Sequence, residues 1–173
     1  MMKQLLTYTE KLKHLPRTGW LRHGIEIPET VASHSWQMAM MAMQLSGTRI
    51  TTAYDYNKVI KMCLCHDLGE SIIGDITPNE ATYATKQTVE KQAIKQIAEQ
   101  GNIPEIISLF AEYTENKTPE AQLANDLDKL DMYAQALDYE NKNPQKDLSE
   151  FKHSAKLALK TDIGKALLHE LEC

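Results

Sequence analysis

Glycine and cysteine are scarce in this chain, and no long apolar run occurs in it. Only seven of 173 residues are glycine, which argues against both disorder and a loop-rich scaffold. The three cysteines, Cys63, Cys65 and Cys173, are odd in number and lack the paired spacing of a disulfide framework. A reducing cytoplasm is the expected setting. No stretch of 18 apolar residues is present, so no membrane-spanning helix is expected, and the opening Met1 to Glu10 is too polar for a secretory leader. An excess of positive charge is also missing. With 19 lysines and arginines against 24 acidic residues, the net charge is -5. No field suited to gripping DNA or RNA results, although a small phosphorylated molecule held by one or two arginines remains possible. Internal repeats and low-complexity segments are absent too.

What the chain does contain is hydrophobic residues, 42% of the total, enough for one compact domain with a substantial core. Its organising stretch runs from Lys58 to Pro78. Val59, Ile60, Met62, Cys63 and Leu64 form a buried helical stem that delivers His66 and Asp67 to a core-flanked end. If the helix continues, Glu70 lies four residues after His66 and three after Asp67, on the same side as both. Gly69 and Gly74 weaken the helix there and let backbone come close to a ligand. Cys63 and Cys65, about 200° apart on a helix, read as core residues before ligands.

Around this stretch the pattern predicts helices throughout. Residues 3–13 form the first, stopped by Pro16. An irregular segment follows, from Arg17 to Pro28, in which Arg17, Arg22 and Trp20 would suit a phosphate and a base. The next helix starts near Glu29 and ends near Ser46. Val31, His34, Met38, Met41 and Leu45 make its inward stripe, with Met38, Met40, Met41 and Met43 as gap-filling core. Asp55 caps the following helix. Thr77-Pro78-Asn79-Glu80 reads as a capping box before a polar helix that Gly101 closes. Pro104 begins another, and Thr118-Pro119 opens a long one with the seam Leu123, Leu127, Leu130, Ala134 and Leu137. Beside that seam stand Asp126, Asp128 and Asp131. Two further helices beyond Pro144 complete the core and are a candidate dimer surface. His14, His153 and His169 read as surface residues.

The ordered set His34, His66-Asp67 and Asp128 resembles the H…HD…D signature of the HD-domain phosphohydrolases. Arg17-Thr-Gly-Trp20, Pro28-Glu-Thr-Val-Ala-Ser-His34, His66-Asp-Leu-Gly-Glu70, Gly74-Asp-Ile-Thr-Pro78 and Asp126-Leu-Asp128-Lys are similar to the 5′-deoxynucleotidase branch of that superfamily. The resemblance implies an all-α bundle, with residues 1–173 as a single HD domain. Its metal-site core would span about 17–140, and residues 144–171 would complete the bundle.

The same resemblance implies that His34, His66, Asp67 and Asp128 bind one divalent metal. Two neutral imidazoles and two carboxylates neutralise a dication and suit manganese, cobalt, nickel, iron or zinc better than magnesium. Asp128 holds the second aspartate of its block, with Asp126 as the substitute in a shifted register. The implied reaction is hydrolysis of deoxyribonucleoside 5′-monophosphates. Glu70 and Asp75 are the implied proton-handling residues, and Arg17 and Trp20 the substrate-binding ones, with Arg22 and His23 weaker candidates. A homodimer is also implied. Alternatives are an HD hydrolase of nucleoside triphosphates, alarmones or cyclic nucleotides, or a module that binds metal and nucleotide without turnover. The chain lacks the Gly-Tyr-Pro motif of the cyclic-dinucleotide branch and the Glu-Asp pair that follows HD in alarmone hydrolases. Ser33 departs from the pattern, standing where relatives often carry an acid, with loosened support for His34 or altered substrate contacts as the expected effect.

Overall fold

The computed structural model describes residues 2–47, 54–76 and 83–173. Its helices are α1 (Met2–His14), α2 (Thr18–Arg22), α3 (Val31–Gly47), α4 (Tyr56–Cys65), α5 (Glu70–Ile73), α6 (Tyr83–Gly101), α7 (Glu105–Glu115), α8 (Pro119–Lys142), α9 (Ser149–Ala158) and α10 (Asp162–Glu172). Among the described residues the only β pairing is a bridge between Pro16 and Thr30. The fold is all-α, and no described helix is long and apolar enough to cross a membrane.

α8 is the axis of the bundle, packing against α3, α4, α7, α9 and α10. Thr118 starts it by accepting the Ala121 N–H at 3.2 Å, with Pro119 in the first turn. Leu123, Leu127 and Leu130 are fully buried along its seam, each contributing about 1.5–3 kcal/mol of transfer free energy. These leucines belong to a main core shared with α1, α3, α4, α6 and α7. Further along α8, Ala136 and Tyr139 enter a second, smaller core with Trp20, Ile25 and Leu148. Asp128 and Asp131 stand between the two cores.

Four local features differ from the sequence expectation. The stem does not continue as one helix through His66 to Glu70: α4 ends at Cys65, and Leu68 N–H to Cys65 O (3.1 Å) and Glu70 N–H to Asp67 O (3.0 Å) wind a tight turn before α5. The Arg17–Pro28 segment contains one helical turn, α2, where Trp20 O accepts the N–H groups of both His23 and Ile25. α3 starts at Val31 rather than Glu29, because Glu29 O is taken by Arg17 N–H (3.0 Å) and Val31 N–H reaches back to Leu15 O (2.9 Å). Met38 is fully buried, but Met40 and Met43 are exposed, so the methionines of α3 are not all core. The expected capping box Thr77-Pro78-Asn79-Glu80 lies outside the described residues.

Asp126, Asp128 and Asp131 of α8 are all buried. Asp126 serves the fold. Its Oδ1 accepts Lys160 N–H at 2.9 Å, and its Oδ2 accepts Thr161 N–H at 2.7 Å and Thr161 Oγ1–H at 2.6 Å. It thereby fastens the start of α10, and Gly164 sits so close that a methyl group there would collide with its carboxylate. Asp126→Ala strands buried donors and is expected to cost about 3 kcal/mol, read as a lowered denaturant midpoint; a loss below about 0.5 kcal/mol contradicts this.

Candidate metal centre

His34 rises from the first turns of α3, His66 and Asp67 from the tight turn after α4, and Asp128 from mid-α8. Packing of α3 on α4 and α8 brings their donor atoms together. His34 Nε2 lies 3.2 Å from Asp128 Oδ1 and 4.0 Å from Asp67 Oδ2, and His66 Nε2 lies 3.0 Å from Asp67 Oδ2. One donor atom each from His34, His66 and Asp128 falls within a 4.8 Å cluster. Ligands about 2.0–2.2 Å from a shared ion stand roughly 3–4.4 Å apart, so these spacings fit one.

The chemistry of the nitrogens fits as well. His66 Nδ1–H donates to Cys63 O at 2.9 Å, and His34 Nδ1 is 2.6 Å from Asp131 Oδ2. With Nδ1 engaged in both rings, each presents Nε2 to the cluster. Both Nε2 atoms are buried and have no hydrogen-bond partner. Buried polar atoms left in this condition are rare outside ligand sites.

Charge at the centre is strongly biased. Burial disfavours ionisation of Asp67, yet His66 and Arg17 outweigh it and hold the carboxylate well below its usual range. Burial acts the same way on Asp128 and is outweighed by Lys129 and His34. Arg17 Nη1 is 3.0 Å from Asp67 Oδ2, and Lys129 Nζ is 2.8 Å from Asp128 Oδ2. At His34, burial and Arg17 oppose a proton, but Asp128 and Asp131 prevail and raise the imidazole to about 9. The site therefore favours bound positive charge.

A cavity of about 950 Å³ opens beside these donors, lined by His66, Asp67 and Asp128 together with Arg17, Glu70, Asp75, Lys86 and Lys129. Glu70 is 3% exposed, its Oε2 has no partner, and its Oε1 is 3.8 Å from Lys86 Nζ. Burial, then Asp67 and Asp75, push its carboxyl well above the ordinary range. Asp75 accepts Thr18 N–H through Oδ2 at 2.5 Å, while Thr18 Oγ1–H donates to Asp75 O at 2.9 Å, so it also anchors α2.

Trp20 lines the same cavity but is only 2% exposed. Its ring packs on Phe151 (centroids 4.3 Å apart) and Tyr139 (5.3 Å), and its Nε1–H donates to Glu29 Oε1 at 2.9 Å. It stands in the cavity wall as a fixed, mostly covered ring. His23 is turned to Glu150 (2.8 Å) and Phe151, away from the donor set. His14, His153 and His169 are exposed. Ser33 is exposed, exchanges hydrogen bonds with Thr30 (2.9 and 3.2 Å), and so closes the first turn of α3.

Sequence reasoning missed Asp131, Lys86 and Tyr113, whose ring centroid is 5.1 Å from that of His66. The available signal was the spacing of Asp128 and Asp131, one helical turn apart on one face.

The HD domain family model matches residues 9–167. The chain belongs to the HD-domain family. Among curated relatives, the 5′-deoxynucleotidase HDDC2 of Dictyostelium discoideum is 41% identical, covering 94% of this chain and 92% of its own. The 5′-deoxynucleotidase hdd1 of Schizosaccharomyces pombe is 41% identical over 85% of this chain and 77% of its own. Among solved structures, a conserved hypothetical protein from Pyrococcus furiosus superposes with a TM-score of 0.82 at 34% identity, covering 97% of both chains.

Removing one donor should empty the centre while removing its neighbour should not. Asp128→Ala is expected to lower bound metal at least tenfold in an elemental analysis of purified protein, with Asp126→Ala, where it folds, retaining the wild-type content. Full metal content in Asp128→Ala contradicts the assignment.

Proposed function

We propose that this chain is a metal-dependent 5′-deoxynucleotidase, hydrolysing deoxyribonucleoside 5′-monophosphates to deoxynucleoside and phosphate. The observation that carries the reading is the convergence, on one cavity, of His66, Asp67 and Asp128 with the buried acid Glu70 and the cations Arg17, Lys86 and Lys129, with His34 Nε2 buried behind that wall 3.2 Å from Asp128 Oδ1. The cavity volume suits a small nucleotide, and the relatives named 5′-deoxynucleotidases support the substrate class. A single ion of manganese, cobalt, nickel, iron or zinc is the proposed cofactor, on the nitrogen and oxygen character of the donors. When bound there it would acidify water and screen the phosphate oxygens.

The roles of the chain's own residues follow from position and charge. Arg17, permanently cationic and already beside Asp67, is placed to take a phosphate oxygen through its guanidinium. Attack of a water oxygen on phosphorus breaks the P–O5′ bond and leaves an alkoxide that needs a proton. Glu70, whose burial beside Asp67 and Asp75 raises its carboxyl and favours the protonated form, supplies that proton to O5′. One proton of the water stays on the departing phosphate, and the other returns to the Glu70 carboxylate and restores it for the next turnover. Asp75, tied to α2 through Oδ2, orients the attacking water from the cavity wall. Trp20 acts by shape, limiting the space for the sugar. The proposed location is the cytoplasm, consistent with free cysteines at 63, 65 and 173.

The proposed assembly is a homodimer formed through α3. Trp36, Met40 and Met43 stand at helical spacing on its outer face, 60%, 42% and 54% exposed, and α3 contains no Lys, Arg, Asp or Glu. Tryptophan and methionine without charge is the composition of an interface core. A second copy of the same face brings no unpaired charge to it. Trp36→Glu should convert the dimer to monomer in sedimentation; a dimer that persists, or a monomeric wild type, contradicts this surface.

Phosphate release from a panel of ribo- and deoxyribonucleotides, on metal-stripped protein with each cation added back, tests the function. Deoxyribonucleoside 5′-monophosphates should be cleaved only after a cation is restored. Glu70→Gln should keep its metal and lose about 10²–10⁴ in kcat. Unchanged turnover removes Glu70 from the reaction, and metal binding without turnover of any nucleotide in the wild type makes the chain a binding module instead.

A further inference from the structure

The block from Pro28 to His34 carries a half-buried acid, Glu29, that the proposed reaction does not use, and α8 carries a fully buried one, Asp131. One carboxylate oxygen from each lies within 4.8 Å of a His34 ring nitrogen and of the other. Asp131 and His34 are both completely buried, and Asp131 Oδ2 stands 2.6 Å from His34 Nδ1. Burying a carboxylate costs several kcal/mol unless a partner compensates, and His34 is the partner found here. The second Asp131 oxygen, Oδ1, makes no hydrogen bond. Such a cost is hard to explain by packing, since an apolar side chain would fill the same space without it.

We propose that Asp131 is a positioning residue for the metal centre: it accepts the Nδ1–H of His34, fixing the ring and its tautomer so that Nε2 faces Asp67 and Asp128. The inference rests on the metal reading above. Asp128 and Asp131, one turn apart on α8, then hold opposite edges of a single imidazole, with Nε2 3.2 Å from Asp128 Oδ1. An anionic acceptor also raises the basicity of the opposite nitrogen. His66 has only the neutral Cys63 carbonyl in that position, so His34 is the stronger of the two nitrogen ligands. Glu29 backs the arrangement. Its Oε1 accepts Trp20 Nε1–H at 2.9 Å and its N–H donates to Tyr139 Oη at 2.6 Å, joining the centre to the second core. Glu29, His34 and Asp131 are not a second metal site, because His34 Nδ1 and Glu29 Oε1 are already engaged with Asp131 and Trp20.

The test titrates Zn²⁺ alone into metal-stripped wild type, Asp131→Asn and Asp131→Leu, and records imidazole ¹⁵N–¹H spectra of the Zn²⁺-loaded proteins. Affinity should fall about 10- to 100-fold in Asp131→Leu. Asp131→Asn, whose oxygen still accepts the proton, should fall less. The strongly deshielded His34 Nδ1 proton should move upfield in Asp131→Asn, while the His66 Nδ1 proton stays in place. Wild-type Zn²⁺ affinity in Asp131→Asn, or a His34 signal that does not move, overturns the proposal even if Asp131→Leu fails to fold. A wild type that takes up no Zn²⁺ overturns the reading of the centre itself.

Discussion

The imidazole of His34, fully buried between Asp128 at one nitrogen and Asp131 at the other, is the contact on which the rest of this structure turns. Two carboxylates one turn apart on a buried helix face are tolerable only where positive charge is brought to them. α3 brings an imidazole, the segment before α2 brings Arg17, and α8 itself brings Lys129. Concentrating carboxylates and imidazoles in this way leaves the site selective for one more kind of ligand, a cation that accepts nitrogen and oxygen together.

The scaffold around that contact is conventional, and its irregularities serve placement. α8 carries apolar seams into two cores, and the acidic pair sits where one gives way to the other. A straight continuation of α4 would keep turning its side chains around the helix. The tight turn from His66 to Gly69 instead holds His66 and Asp67 beside the α3 and α8 donors and sets Glu70 in the wall of the same cavity. The bridge from Pro16 to Thr30 does similar work on the other side. It pins both ends of the segment carrying Arg17 and Trp20, so those residues enter the cavity wall in fixed positions.

Much of this is legible in the sequence. The 3.6-residue spacing of Leu123, Leu127 and Leu130 announces the α8 seam, and Thr118-Pro119 and Asp55 announce helix starts that the structure contains. The ordered blocks place the chain in its family. The differing functions of Asp126, Asp128 and Asp131 are not legible, because helical spacing tells which residues share a face and nothing of what lies opposite that face. Asp126 finds the amides of residues 160 and 161, distant in the chain, and Asp131 finds an imidazole 97 residues away. Trp20 escapes a sequence reading for a related reason. An aromatic beside an arginine is compatible with a ligand platform or a core plug, and the rings that hold it in place, Tyr139 and Phe151, come from far along the chain.

The most direct check on the central claim is anomalous diffraction from crystals of the Mn²⁺-loaded protein, collected at the manganese edge. One strong peak per chain is expected, about 2.0–2.3 Å from His34 Nε2, His66 Nε2 and one oxygen each of Asp67 and Asp128. A peak elsewhere, or ligation that leaves out His34, would contradict the account.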